Sequence, residues 1–274
     1  MKSAVPPVED TIDYTSLVAT ARALAAHRRT IPLTLPDGKR AWLKLALDAE
    51  VNNWHRLQSL LARLCQNPFL LPTVAAEGVA SLKGEIRRVR KLAACGFPVP
   101  HILATGEDWL LLADSGLPSI TVLRSEDYPR EQRLQQLQAI ALLMAHMHQR
   151  GCWHGRPALK DFLCKKQTVT LCDFEEDVRL HLSKLECLVR DALIFGHSLF
   201  RVFARTDLEM ARYGLAVYWQ AAPASVKNAI LDKVAAMDVL MGFDVFFGKY
   251  LGGDAKAMFL CLREFNEMAP SKVI

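Results

Sequence analysis

One stretch constrains this chain more than any other. It is the loop Trp153-His154-Gly155-Arg156-Pro157-Ala158-Leu159-Lys160-Asp161, set between a long helical pattern and a strand that stops at a carboxylate. Residues 129–149 (PREQRLQQLQAIALLMAHMHQ) place apolar side chains at helical spacing and predict a long amphipathic helix. After the loop and a short apolar return, QTVTLCDF reads as a strand that runs into an acidic turn, Glu175-Glu176-Asp177. Helix, polar loop and strand ending in Asp173 form a unit around which the rest of the chain is read.

Upstream of that unit the pattern is mostly β. Residues 15–28 look helical. IPLTL and RAWLKLAL then flank Pro36-Asp37-Gly38-Lys39, the signature of a β-hairpin with Lys44 in its second strand. Residues 49–65 return to a helical pattern, and Asn67 to Ala76 reads as a loop broken by Pro68 and Pro72. A second helix is expected over about 80–94, ended by Gly96 with Pro98 and Pro100 beyond it. HILATG and DWLLLAD read as two short strands, and Asp114-Ser115-Gly116-Leu117-Pro118 is the expected hinge. From about Leu180 onward the chain looks helical, with breaks at Ala222-Pro223 and Gly252-Gly253. Strands with one helix, a hinge and a helical half make an α+β chain of two lobes. The expected division is a helical extension over 1–27, a small lobe over 28–113 and a large lobe over 114–274.

Composition permits this. The 274 residues are 51% hydrophobic and 23% charged, an ordinary globular balance. No apolar run is long enough to cross a bilayer, and the opening MKSAVPPVEDTIDY lacks the apolar core of a secretory signal, so the expected compartment is the cytoplasm. The seven cysteines form no Cys-x-x-Cys pair and read as reduced, buried small hydrophobes. A net charge of +5 suits an anionic ligand such as a nucleotide. Nucleic acid is not expected, because no basic run is interleaved with aromatics. There is no His-Glu-x-x-His metal pattern and no Gly-x-Ser-x-Gly elbow.

The residues that carry chemistry are spread along the chain. Lys44 sits mid-strand, where a buried sheet would be apolar, so its ammonium needs either a partner or an exposed face. Glu85 is an acidic residue on a helix dominated by Arg87, Arg88, Arg90 and Lys91, and taken alone it reads as a surface ion pair. His154, Asp161 and Asp173 follow in order, and that joint order resembles the catalytic loop and Asp-Phe-Gly segment of kinases. The stretch EIRRVRKLAACGFPVP (85–100), the strand pair ending LLLAD and the loop-to-DFE segment resemble the lipopolysaccharide kinase family, which contains bacterial Kdo and heptose kinases and is related to the small atypical kinases of the KEOPS complex. The resemblance covers roughly 28–199.

That resemblance implies a two-lobed protein kinase-like fold, with a small β-rich lobe carrying one key helix and a mostly helical second lobe. It implies ATP held by Lys44 and Glu85, and magnesium held by Asp161 and Asp173. It places Asp191 as a brace for the loop. The acceptor would be a sugar, lipid-linked or protein hydroxyl, with peripheral membrane contact left open. Two positions depart from the pattern. No glycine-rich loop precedes Lys44; Lys39 and Arg40 either supply charge there or form a solvated turn. The position of the catalytic Asp is Arg156, which cannot accept a proton but can neutralise phosphate charge. Arg156 and Asp161 are therefore the candidate catalytic residues. Three functions stay open: an ATP-dependent phosphotransferase, a pseudokinase that binds without transferring, and a helical adaptor in which these residues lie on the surface.

Overall fold

Alternation decides the small lobe. In a computed structural model, which describes residues 13–24, 28–46, 78–174, 182–235 and 252–269, the strand Arg40–Leu45 (β2) buries Ala41, Leu43 and Leu45 on one face and turns Trp42 and Lys44 to the other. The buried face meets the helix Tyr14–Leu24 (α1) through Val18 and Ala21 and the strand Thr30–Thr34 (β1) through Ile31. The expected helix over 15–28 thus appears as α1, and the hairpin forms as read. The helix and loop expected over 49–76 lie outside the described residues.

The helix Gly78–Ala94 (α2) comes next, then strands Ile102–Thr105 (β3) and Trp109–Ala113 (β4). All four strands pair antiparallel in the order β1-β2-β4-β3, with Lys44 opposite Leu110. α2 packs Leu82 and Ile86 against Leu110 and Leu112 of β4. Its end is set by Gly96 at φ +79°, a left-handed cap that lets the Phe97 N–H return to the Leu92 carbonyl at 3.0 Å.

The two-residue strand Leu117–Pro118 (β5) follows Gly116 and pairs with Phe162–Lys165 (β6), which pairs with Thr168–Leu171 (β7). The expected hinge is therefore hydrogen-bonded to the large lobe, and the short apolar return is itself a strand. Around this second sheet lie helices Ser119–Arg124 (α3), Arg130–Gln149 (α4), Lys184–Phe203 (α5), Leu208–Ala221 (α6), Ala224–Ala235 (α7) and Gly253–Glu267 (α8). α4 buries Leu137, Ile140, Ala141 and Met144, the period-3.6 stripe seen in the sequence. α5 starts from a reciprocal cap in which the Ser183 hydroxyl accepts from the Glu186 N–H and the Glu186 carboxylate from the Ser183 N–H. The breaks between α6 and α7 and ahead of α8 fall at Ala222-Pro223 and Gly252. One apolar core unites these helices with Val89, Leu92 and Phe97 from the small-lobe side. The α+β layout of a small antiparallel-sheet lobe and a helical lobe is the one expected. Among the described residues no helix is long and apolar enough to cross a membrane.

Candidate functional site

Between the lobes lies a cleft of about 490 Å³ whose polar end is made by Lys44, Glu85, Asp161 and Asp173, and whose apolar walls include Trp42 and Leu163. Two-residue periodicity brings Lys44 and Trp42 to it from β2. Helical phase brings Glu85, which is 2% exposed although its neighbours Lys83, Arg87 and Arg90 face solvent. The Lys44 ammonium donates to the Glu85 carboxylate at 2.6 Å and reaches the Asp173 carboxylate at 3.4 Å. An ammonium from the small lobe and a carboxylate from the large lobe thus face each other across the cleft. The surface-residue alternative for these three groups does not describe this geometry.

Asp173 sits at φ +69°, a left-handed conformation that costs a non-glycine residue energy and is usually kept where a side chain must be aimed. Burial pushes its carboxyl up, but Lys44, Arg156 and Lys160 outweigh burial and hold it below its ordinary value. Asp161 shows the opposite balance. Burial first, and then the charge of Asp173, push its carboxyl up to about 7 against Lys160 and Arg156. One oxygen of Asp161 accepts the Ala158 N–H at 3.2 Å, and the other lies 3.8 Å from the Lys160 ammonium. The Arg156 guanidinium is 3.4 Å from the second oxygen of Asp173. All five sequence-derived candidates, Lys44, Glu85, Arg156, Asp161 and Asp173, therefore meet in one place.

The loop beneath them is held by buried polar groups. The Asp191 carboxylate accepts the N–H groups of His154 and Gly155, the latter at 2.9 Å, and Arg190 donates to the Gly155 carbonyl. Burial pushes the Asp191 carboxyl up, but the His148 ring, whose Nε2 lies 3.8 Å away, and the N–H of His154 hold it below its ordinary value. His154 Nε2 lies 2.9 Å from the Cys172 carbonyl, which can only accept, so Nε2 carries the proton. Burial drives the His154 pKa down to about 4, against the pull of Asp191. The ring therefore serves as a neutral strut joining the loop to the residue before Asp173. The Leu159 N–H donates to Ser198 at 2.8 Å and its carbonyl accepts from Ser119, which fixes the turn that carries Asp161.

Sequence reasoning passed over two residues of the cleft and its rim. Trp42 lines the cleft with its indole N–H held by Asp114 at 3.0 Å; its signal was its place two residues from Lys44. Arg88 reaches the loop carbonyls, and its signal was its place one turn after Glu85. Lys39 pairs with Asp37 at 2.9 Å in an exposed turn, so the solvated-turn alternative describes it. Among the described residues, no group of three or more His, Cys, Asp or Glu side chains could hold a metal ion alone.

No family model matches the chain. An uncharacterised protein of Haemophilus influenzae is 28% identical over 140 residues, which span 51% of this chain and 57% of that relative's length. Among solved structures, a macrolide 2'-phosphotransferase from Brachybacterium faecium aligns over 89% of both chains with 12% identity and a TM-score of 0.39. A pseudokinase domain from an immune regulator of the RLK/Pelle family aligns over 89% of this chain and 78% of its own, with 12% identity and a TM-score of 0.38.

Proposed function

We propose that this protein binds ATP with magnesium in the interlobe cleft and transfers the terminal phosphoryl group to a hydroxyl acceptor: a sugar, a lipid-linked compound or a protein. The observation that carries this reading is Lys44, held at 2.6 Å by Glu85 and facing Asp173 at 3.4 Å from the other lobe. Phosphoryl transfer needs positioning and charge neutralisation far more than covalent chemistry. Lys44 would grip phosphate oxygens, with Glu85 setting its direction. The walls that include Trp42 and Leu163 would exclude water from the rest of the ligand.

The carboxylates present fit magnesium. The charge of Asp173 adds to the cost of ionising Asp161, and a dication held by both would offset that cost. Two carboxylates with phosphate oxygens and water completing the shell are the ligands magnesium prefers. When bound, the ion would neutralise charge on the phosphates. Arg156, 3.4 Å from Asp173, would offset charge on the transferring group.

A second reading rests on the same Arg156. It stands where a proton acceptor is expected and has no proton affinity to offer, so the cleft would then hold the nucleotide as a binding module. Two measurements separate these. Melting of the chain with ATP and magnesium reports binding, and phosphate released or transferred from ATP reports chemistry. A shift plus transfer that disappears in Asp173→Ala supports the phosphotransferase. A shift without transfer to any acceptor class supports the binding module. No shift, with or without magnesium, sinks both.

A further inference from the structure

Arg88 lies one turn after Glu85 on α2 and does what none of its basic neighbours does. Lys83, Arg87, Arg90 and Lys91 face solvent, whereas Arg88 is half-buried. Its Nη2 donates to the Trp153 carbonyl at 2.9 Å and to the His154 carbonyl at 2.7 Å. Its guanidinium lies 5.7 Å from the ring centre of Phe174, the residue after Asp173. One side chain from the small lobe thus touches both large-lobe segments that build the polar end of the cleft.

We propose that Arg88 is a positioning residue that sets the distance between Glu85 and Asp173, and so holds Lys44 ready for phosphate without a separate activating event. This rests on the nucleotide reading above. α2 also meets the large-lobe core through the apolar side chains of Val89 and Leu92. Apolar contact is non-directional and tolerates sliding of a helix. Two hydrogen bonds from one nitrogen to adjacent carbonyls do not. The carbonyls are themselves fixed, because the His154 and Gly155 N–H groups are held from below by Asp191. The contacts close a circuit: Arg88 to the loop and Phe174, Phe174 to Asp173 along the chain, Asp173 to Lys44, Lys44 to Glu85, and one helical turn back to Arg88. Displacing α2 along its axis breaks the Arg88 bonds first and carries Glu85 away from Lys44 with it.

The experiment is a double-mutant cycle on the full chain, read as affinity for the magnesium complex of a non-hydrolysable ATP analogue by calorimetry, with unliganded melting measured in parallel. Arg88→Met keeps the aliphatic stem and removes the donors and the charge. It is expected to weaken binding roughly tenfold, an ordinary size for residues coupled through a shared network. In a Glu85→Gln background the same change is expected to cost no more than about twofold, because Arg88 acts through the placement of Glu85. A merely structural role would lower melting equally in both backgrounds and give additive affinity losses; additivity overturns the proposal. So does full affinity in Arg88→Met when the unmodified chain binds. If Arg88→Met does not fold, Arg88→Lys is read in the same cycle by the same criterion. No binding by the unmodified chain sinks the nucleotide reading itself and this proposal with it.

Discussion

Asp161 is the residue at which function and stability pull apart. Its carboxyl is raised from 3.8 to about 7 by burial and by Asp173, so its ionised form is disfavoured in the folded chain. A raised carboxyl contributes stability that is present below the unfolded pKa and lost as pH rises through the folded one, here from about 4 to about 7. Asp161→Asn keeps the shape and an acceptor for the Ala158 N–H, and removes the negative charge that burial and Asp173 disfavour. The variant is expected to be more stable than the unmodified chain at pH 8, by on the order of 2 kcal/mol, and equal to it near pH 4. Urea unfolding at the two pH values checks this, and a variant less stable at pH 8 contradicts it. His154 has the opposite sign. Its pKa, lowered to about 4, contributes stability that is full above about 6.5 and lost as pH falls toward 4. In the unmodified chain the two slopes oppose each other over that window. Asp161→Asn should therefore also expose a stability that rises with pH between about 4 and 6.5, which His154→Phe in the same background removes.

At the scale of elements, the hinge is where backbone geometry is least forgiving. Gly116 has φ +111°, and a Cβ there would lie 2.1 Å from the Cys164 carbonyl oxygen on β6. Gly38, in the exposed hairpin turn, has φ +79° but nothing within 4 Å of the same atom. Gly38→Ala bears only the left-handed penalty of about 1 kcal/mol. Gly116→Ala must also part β5 from β6, and is expected to cost about 3 kcal/mol or more and to distort the cleft that Gly116 lines. Denaturant midpoints of the two variants check the ranking; equal losses would mean that the hinge yields easily. The same comparison shows what a sequence can and cannot display. The Gly38 turn was legible because Pro-Asp-Gly between alternating runs is a local signal. The closeness of Gly116 to β6 was not, because it depends on a pairing across more than forty residues between a two-residue strand and FLCK, too short to show alternation. Likewise α2 was legible as a helix, and Glu85 stood out as its one acid. Which of Arg87, Arg88, Arg90 and Lys91 turns inward showed only in helical phase from Glu85, since all four are basic and composition does not separate them.

At the scale of the whole molecule, the two lobes are joined at the cleft by charges that need one another. Glu85 is 2% exposed, and Lys44 is its hydrogen-bonded cation. Removing one member of such a pair leaves a buried charge uncompensated, at a cost of about 3–5 kcal/mol. Lys44→Ala is therefore expected to melt on the order of 10 °C lower than the unmodified chain before any ligand is added. A ligand at a hundred times its dissociation constant stabilises the folded state by about 2.7 kcal/mol, which for a chain of this size raises melting by roughly 5–10 °C. The comparison that matters is each variant's ligand-induced shift from its own baseline. With ATP and magnesium the unmodified chain should show the full shift, Asp173→Ala a shift that no longer depends on magnesium, and Lys44→Ala none. If Lys44→Ala loses stability yet keeps the whole ATP-induced shift, the ammonium serves only to neutralise Glu85, and phosphate is not what this cleft was built to hold.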